Sequence, residues 1–481
     1  MTTFDSTSHS EGTASGGHLR VSPTGPRDSV VSVAPSIKAR GIDDVLEHLR
    51  ILKTLNIQLE KKTPILNNFY KLIIGTVDAR LRSLSTMPLP IPSKPRQVIR
   101  NMQEALEILA GILLIPLAEK SNDVAPGDTP PVSVDSLSPL ALWRALHLLS
   151  RHLLISSLTA ASPGVGIWKQ LHHAYSLAFQ QGVTHVIPEG AACSLEEEYF
   201  AAILLGCAQP TSFTGREVIF LDTYLGYFSK QVDVNQRDPE ENPAMFWINP
   251  ESDVSAMPYS RKPPAPDTPV HNFSCYRLAA LLESQLAALK SGTPPEQINL
   301  PSFAAKPAGL GVLTRLLHLW GSPGKRRFPR RIQNHRCKLC FGFSNLCRLY
   351  KVEQQAVETS VWMVTNESPD GYTVMHISGK TRAITVGDIA ALRTETGDRW
   401  QLCIIRWALS ENREHIELGL QTLSSHAYTA EIALPEKTAD DTCYRPALVL
   451  PATNSSLRPN EVLVVPSGVL GGGAEEPRAG H

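Results

Sequence analysis

Residues 400–421 read WQLCIIRWALSENREHIELGLQ, and the period of this stretch decides the fold of the C-terminal part of the chain. Between Trp400 and Trp407, the apolar Trp400, Leu402 and Ile404 alternate with Gln401, Cys403 and, further on, Arg406. Ile416, Leu418 and Leu420 likewise alternate with His415, Glu417, Gly419 and Gln421. A period of two with one apolar and one polar face marks half-buried strands. Beyond residue 335 this period replaces a helical one. Several short strands separated by Gly, Asp and Asn turns, over about 100 residues, predict a small antiparallel barrel or sandwich. Two further strand-like pieces, Ala447–Leu450 and Val462–Val465, follow it, and the tail from Gly471 to His481 is expected to be disordered.

Upstream the period is 3.6. Leu66, Phe69, Tyr70 and Ile73 fall at i, i+3, i+4 and i+7 and make one apolar helix face. Leu142, Trp143, Leu146, Leu149 and Leu153 repeat the pattern after a Ser138–Pro139 start signal, and Leu221, Tyr224, Leu225 and Phe228 do so again. Pro-rich residues 88–95 and Asp/Pro/Ser-rich residues 121–139 separate the helices. The stretch 236–268 is rich in Pro, Asp and Asn and contains an extended segment at 245–249, which predicts an irregular excursion or a hairpin. Helical patterning returns near 274–290 and in a helix carrying Leu313, Leu316, Leu317 and Trp320. That helix stops at Gly321-Ser322-Pro323-Gly324, where the domain boundary is placed. Residues 1–40, rich in Ser, Gly, Thr and Pro and without periodicity, are expected to be disordered. The reading is a multidomain α + β protein: a helical domain over 41–320, a barrel over 322–430 and a strand extension over 431–470.

Composition limits the function. Lys plus Arg equals Asp plus Glu, 46 each, which excludes a globally basic nucleic-acid coater, so an anion site must come from local clustering. Eight scattered cysteines suit reduced thiols better than a dense disulfide framework. The N-terminus lacks the apolar core of a signal peptide, and the longest apolar stretch, Ile108–Ala118, falls far short of the roughly 20 residues that span a bilayer. A soluble cytoplasmic protein is expected.

The local cluster is Lys325-Arg326-Arg327-Phe328-Pro329-Arg330-Arg331, between the helix breaker and the first strand. Pro329 fixes its own φ and biases Phe328 toward extended geometry, so this is a stretched arm. Planar guanidinium groups on such an arm can stack on bases and fork hydrogen bonds to a guanine edge or to phosphate, which lysine cannot. Alone, the cluster also reads as a solvated basic linker. About 36 residues further on, Asn366, Ser368 and Gly371 stand in N-x-S-x-x-G spacing between two strands. Asn366 offers amide donors and an acceptor, Ser368 a hydroxyl, and Gly371 close backbone approach. Alone, this is an ordinary turn.

Together the two elements resemble the PilZ domain family, which is marked by an RxxxR arm entering a six-stranded barrel and a (D/N)xSxxG turn on its surface. RRFPR at 326–330 and NESPDG at 366–371 stand in that order and separation, and VGD at 386–388, Arg406–Trp407 and the Glu417–Leu420 strand are similar to the family's later strands. The resemblance covers roughly residues 322–430. It implies a C-terminal antiparallel six-stranded barrel that binds the bacterial second messenger cyclic di-GMP as a ligand, with no other cofactor. Arg326 and Arg330 would stack on and bond the guanines and phosphates, while Asn366, Ser368 and Gly371 would hold the other side. Arg327 and Arg331 form a second pair at the same spacing, which leaves the register of the arm open by one residue; Phe-Pro before the second arginine favours 326/330.

Other constellations carry less. Cys337, Cys340 and Cys347 beside His335 lack the second pair of a structural zinc site, so buried strand cysteines are expected and no metal. Nucleophile-elbow, dinucleotide-loop, Walker A and zincin patterns are missing or incomplete, and no enzyme is expected. Trp168-Lys169-Gln170-Leu171 with Tyr175 echoes the opening of a tetratricopeptide repeat, but no 34-residue recurrence follows. The expected function is a nucleotide-responsive regulatory protein in which the ordered arm changes the placement of the helical domain, itself a surface for a protein partner. The rival readings are an interaction scaffold with a non-binding barrel and a single-stranded nucleic-acid binder with Phe328 as stacking platform. Sequence-specific nucleic-acid recognition is not expected.

Overall fold

The computed structural model describes residues 41–54, 59–115, 137–234, 243–324, 328–351, 356–412, 415–435, 442–452 and 460–466. The segment 1–40, the tail from 471, and Arg326 and Arg327 of the arm lie outside them.

The helical domain opens with α1 (Ile42–Thr54), α2 (Leu59–Ser85), α3 (Ser93–Leu113), α4 (Pro139–Leu158), α5 (Ile167–Gln180), α6 (Leu195–Cys207) and α7 (Gly215–Phe228). At its centre lies α4, packed against α2, α3, α5, α6 and α7. Leu142, Leu146, Leu148, Leu149 and Ile155 are all fully buried, so α4 is apolar nearly all round, as a helix surrounded by helices must be. It begins where the sequence signals it: the Ser138 hydroxyl accepts from the Ala141 N–H at 3.2 Å, with Pro139 in the first turn. Leu66, Phe69 and Ile73 of α2 and Leu221, Tyr224 and Leu225 of α7 are buried, as their spacing requires. Reciprocal Ser194–Glu197 and Thr214–Glu217 capping boxes start α6 and α7.

The stretch expected to be an irregular excursion or a hairpin holds an antiparallel pairing of 245–248 with 257–258, and with its flanks it builds a small antiparallel sheet. Strands β1 (Asp233–Val234), β2 (Met245–Ile248), β3 (Met257–Pro258) and β4 (His271–Ser274) pair in the order β1-β4-β2-β3. Strands of two to four residues are too short to show alternation. Aromatic packing holds them: Phe246 stacks on Phe273 at 5.3 Å, and Phe273 meets Phe200 of α6 edge-on at 5.2 Å. Two helices follow, α8 (Tyr276–Lys290) and α9 (Pro307–Leu316), the latter ending in a π turn at Leu317–Gly321 that buries Trp320.

The C-terminal strands β5 (Arg331–Phe341), β6 (Ser360–Ser368), β7 (Gly371–Ser378), β8 (Ile389–Thr394), β9 (Gln401–Ser410) and β10 (Ile416–Ser424) close into an antiparallel barrel in the order β10-β7-β6-β5-β8-β9. Helix α10 (Phe343–Leu349) follows β5. Strands β11 (Tyr428–Pro435), β12 (Thr442–Leu450) and β13 (Val462–Val464) form a separate three-stranded sheet, of which β11 has no counterpart in the sequence reading. Leu448 and Leu450 of β12 pack with Leu346 and Cys347 of α10 and with Leu402 of β9.

That packing explains where alternation misleads. Cys403, expected on the wet face of β9, is fully buried, as are Leu402 and Ile405, whereas Ile404 is only half-buried. Leu402 belongs to the cluster under α10 and β12, so at this end the strand is covered on both faces and residue type no longer reports the side. Further along, Trp407 pairs with Gly419 and Ile405 with Leu420, leaving Arg406 as the extra residue of a bulge. Cys337 and Cys340 are buried in β5, and burial pushes their thiols up to about 12 and about 11.

Helical domain and barrel are joined at several points. Leu89 and Ile384 exchange backbone hydrogen bonds of 3.3 and 2.8 Å. Arg96 of α3 donates to the Glu411 carbonyl at 2.7 Å, and the Ser410 N–H donates to the Ala160 carbonyl at 2.7 Å. Ala160 holds φ at 49°, a left-handed conformation uncommon for alanine, just after α4 ends. The chain leading into the basic arm is pinned as well, with Ser260 Oγ donating to the Pro323 carbonyl at 2.6 Å and Arg261 Nε to the Gly324 carbonyl at 3.3 Å.

Candidate functional site

The β6–β7 hairpin sets the site. Ser368 pairs with Gly371 across a two-residue turn, Pro369–Asp370, and the Ser368 hydroxyl donates to the Gly371 carbonyl at 3.3 Å. The neighbouring strand ties the turn down, because the Thr422 N–H donates to the Asp370 carbonyl at 2.9 Å. Gly371 is required by space: a Cβ there would come within 1.9 Å of the Leu420 carbonyl oxygen of β10. The N-x-S-x-x-G spacing thus places a hydroxyl beside a glycine pressed against the next strand.

Arg330, the last residue of the arm before β5, reaches the same place. Its guanidinium donates to the Thr373 hydroxyl of β7 at 3.1 Å. An open groove on the barrel surface is lined by Arg330, by Ser368, Asp370 and Gly371 of the hairpin, and by Arg406, Trp407 and Gly419 across β9 and β10. The arm and the turn, far apart in sequence, therefore meet.

The other candidate residues are placed differently. Asn366 is half-buried on β6, opposite Ile332 and Thr373, and does not line the groove, although strand period puts it on the same face as Ser368. Arg331 begins β5 opposite Glu367, is exposed, and is not among the lining residues. Arg326 and Arg327 lie outside the described residues, so of the two pairs only Arg330 and Arg331 can be compared, and Arg330 is the one at the groove.

Arg406 and Trp407 are among the groove residues that the sequence reading did not name as site residues. Arg406 comes from the β9 bulge, which turns it to the surface, where its Nε donates to Gln421 Oε1 at 2.6 Å. Trp407 lies over Gly419, whose Cβ position would fall 1.8 Å from the indole Nε1. The signal was available as a tryptophan directly opposite a glycine in a hairpin, but their pairing depends on the bulge, which the sequence does not announce. The groove thus combines an arm guanidinium, a bulge guanidinium, a hydroxyl and an indole around an exposed backbone. This set can grip an anionic, aromatic ligand by charge, hydrogen bonding and stacking.

A six-stranded barrel with an arginine arm and this turn is a PilZ domain. Residues 348–428 match the family model described as "Cyclic-di-GMP receptor FimW, middle PilZ domain", a span that includes Ser368, Gly371, Arg406, Trp407 and Gly419 and begins after Arg330. Residues 39–240 match "Cyclic-di-GMP receptor FimW, N-terminal domain". A curated relative, the cyclic-di-GMP receptor FimW of Pseudomonas aeruginosa, is 20% identical over 464 residues, covering 79% of this chain and 74% of the relative.

Proposed function

We propose that the protein is a regulatory receptor for cyclic di-GMP, bound in the groove between the basic arm and the β6–β7 turn. The observation that carries this reading is the meeting of Arg330 with Ser368 and Gly371 at one groove. Arg330 supplies a planar fork for a guanine edge or a phosphate, Ser368 a hydroxyl, and Gly371 the room for close approach. Arg326 is the partner of Arg330 on the arm, with Arg327 the neighbouring candidate, and Asn366 flanks Ser368 on β6. Trp407 offers the face on which a base stacks. The relative's name and the two matched family models support this ligand over a polynucleotide.

The role is binding and signalling rather than catalysis. The arm is at once a ligand element and the link to the helical domain, so ordering it biases how the two domains are placed, by as much as the ligand's differential affinity for the two arrangements allows. The helical domain is the surface for a protein partner, and the protein works in the cytoplasm. The unbridged thiols of the described cysteines support that location, and no described helix is long and apolar enough to cross a membrane.

Equilibrium dialysis with labelled cyclic di-GMP, competed by unlabelled cyclic di-GMP, GTP and single-stranded RNA, tests the reading. Saturable binding displaced by the cyclic dinucleotide alone is expected. Displacement by RNA, with affinity falling steeply as salt rises, would replace the receptor with a single-stranded nucleic-acid binder.

A further inference from the structure

Asp370 is the one acid among the described residues that line the groove. The fold holds it there. It closes the two-residue turn between β6 and β7, and its carbonyl accepts from the Thr422 N–H of β10 at 2.9 Å. The next residue, Gly371, is pressed against the Leu420 carbonyl of the same strand. The backbone that carries the Asp370 side chain is therefore set by two contacts to β10. In the N-x-S-x-x-G spacing this position is open to any residue, so the motif gives no account of an acid here.

The carboxylate is half-buried and forms no ion pair among the described residues, although Arg330 and Arg406 line the same groove. Those two guanidinium groups donate to neutral oxygens, Arg330 to Thr373 and Arg406 to Gln421. An acid has the wrong charge for a groove that takes an anion, and it repels the ligand unless it accepts hydrogen bonds from another part of it. The bases of a cyclic dinucleotide are such a part. Guanine carries two donors side by side, N1–H and the exocyclic amine, and the two oxygens of a carboxylate match them as a fork. Adenine lacks that amine and presents an unprotonated N1, which a carboxylate repels. Trp407 lies over Gly419, and Gly371 pairs with Gln421, two residues or about 7 Å further along β10. The ring and the turn thus stand on one strand, with room for a base between them.

We propose that Asp370 determines the base specificity of the groove, its carboxylate accepting from N1–H and the exocyclic amine of a guanine stacked on Trp407. The inference rests on the receptor reading above and adds to it the residue that selects guanine over adenine. Asp370 acts on the Watson–Crick edge of the base and takes no part in holding the phosphates. Its charge, unfavourable toward the ligand as a whole, becomes favourable only toward a base with two adjacent donors.

Calorimetric titration of the full chain and of Asp370→Asn with cyclic di-GMP, cyclic di-IMP and cyclic di-AMP tests this. Hypoxanthine keeps N1–H but lacks the exocyclic amine, so the unsubstituted protein is expected to bind cyclic di-IMP about tenfold more weakly than cyclic di-GMP. Asp370→Asn offers one acceptor where two are needed. It is expected to bind cyclic di-GMP about tenfold more weakly, to lose the preference over cyclic di-IMP, and to bind cyclic di-AMP no more weakly than before. An acid with no part in recognition gives the opposite sign, because removing it tightens all three anionic ligands alike. That result, or unchanged ratios among the three, overturns the assignment of Asp370 and leaves the receptor reading standing. Should Asp370→Asn not fold, equal affinity of the unsubstituted protein for cyclic di-GMP and cyclic di-IMP overturns it alone. No heat from the unsubstituted protein with cyclic di-GMP, by contrast, ends the receptor reading and this inference with it.

Discussion

Trp407 lies over Gly419 with its indole where any larger residue on β10 would have to sit, since a Cβ at 419 would approach Nε1 to 1.8 Å. The contact crosses the β9–β10 pair immediately beside the Arg406 bulge, so the bulge, the ring and the glycine act together as one wall of the groove. Gly419→Ala is expected to displace the indole and to weaken cyclic di-GMP binding by about tenfold, with a shift in tryptophan emission in the free protein. Emission and Kd both unchanged would show that the ring has no part in the groove.

Gly371 answers to backbone rather than to a side chain. Its missing Cβ leaves room for the Leu420 carbonyl at 1.9 Å, and backbone cannot give way as a flexible side chain can. Gly371→Ala should therefore cost about 2 kcal/mol or more of barrel stability, in the range of strain mutations. Urea unfolding followed by circular dichroism measures it, and a midpoint equal to that of the native protein would contradict the packing.

The hairpin tip of β9–β10 is docked on the helical domain by Arg96, which reaches the Glu411 carbonyl at 2.7 Å, and by the Ser410 N–H on the Ala160 carbonyl. Arg96→Ala removes a charged donor, but the exposed Glu411 carbonyl can turn to water, so a loss of about 1 kcal/mol is expected. The expected readout is faster hydrogen exchange at Ser410 and Glu411, with the strands on the far side of the barrel unaffected.

The helical core carries its own pH dependence. His152 on α4 is buried, its Nδ1 has no partner among the described residues, and burial lowers its pKa from 6.5 to about 4. The unfolded chain thus takes up the proton first as pH falls. The stabilisation from keeping this ring neutral is full above about pH 6.5 and is lost between there and about pH 4. At lower pH the buried Glu198 adds to this. Burial alone would raise its carboxyl, but His147 at 3.1 Å and the Arg151 charge outweigh burial and hold it at about 2, so its stabilisation is lost as pH falls from 4.5 toward 2. Urea midpoints at pH 7.5, 6 and 5 should fall stepwise, and His152→Leu should flatten that part of the profile.

Much of this architecture was legible in the sequence. Helices with a one-sided apolar face, such as α2, and a capped start such as Ser138 of α4, follow from local spacing alone. Strands β9 and β10 were readable from their alternation, and the six-stranded closure followed from the family resemblance, which two short contiguous motifs carry. The four-stranded sheet around residues 233–274 was not, because strands of two to four residues carry no period and owe their existence to Phe200, Phe246 and Phe273. The side of Cys403 and the place of Arg406 in the groove were also hidden. Both depend on what packs outside β9 and on a bulge, which are properties of the assembled barrel.

The central claim is that the groove between the arm and the β6–β7 turn binds cyclic di-GMP, and titration calorimetry on the full chain and on Arg330→Ala tests it most directly. Saturable binding in the micromolar range or tighter, lost or weakened at least about a hundredfold in Arg330→Ala while its melting temperature is unchanged, is the result expected. Equal binding by the two proteins would contradict the assignment of the site, and no binding by the unsubstituted protein would contradict the receptor itself.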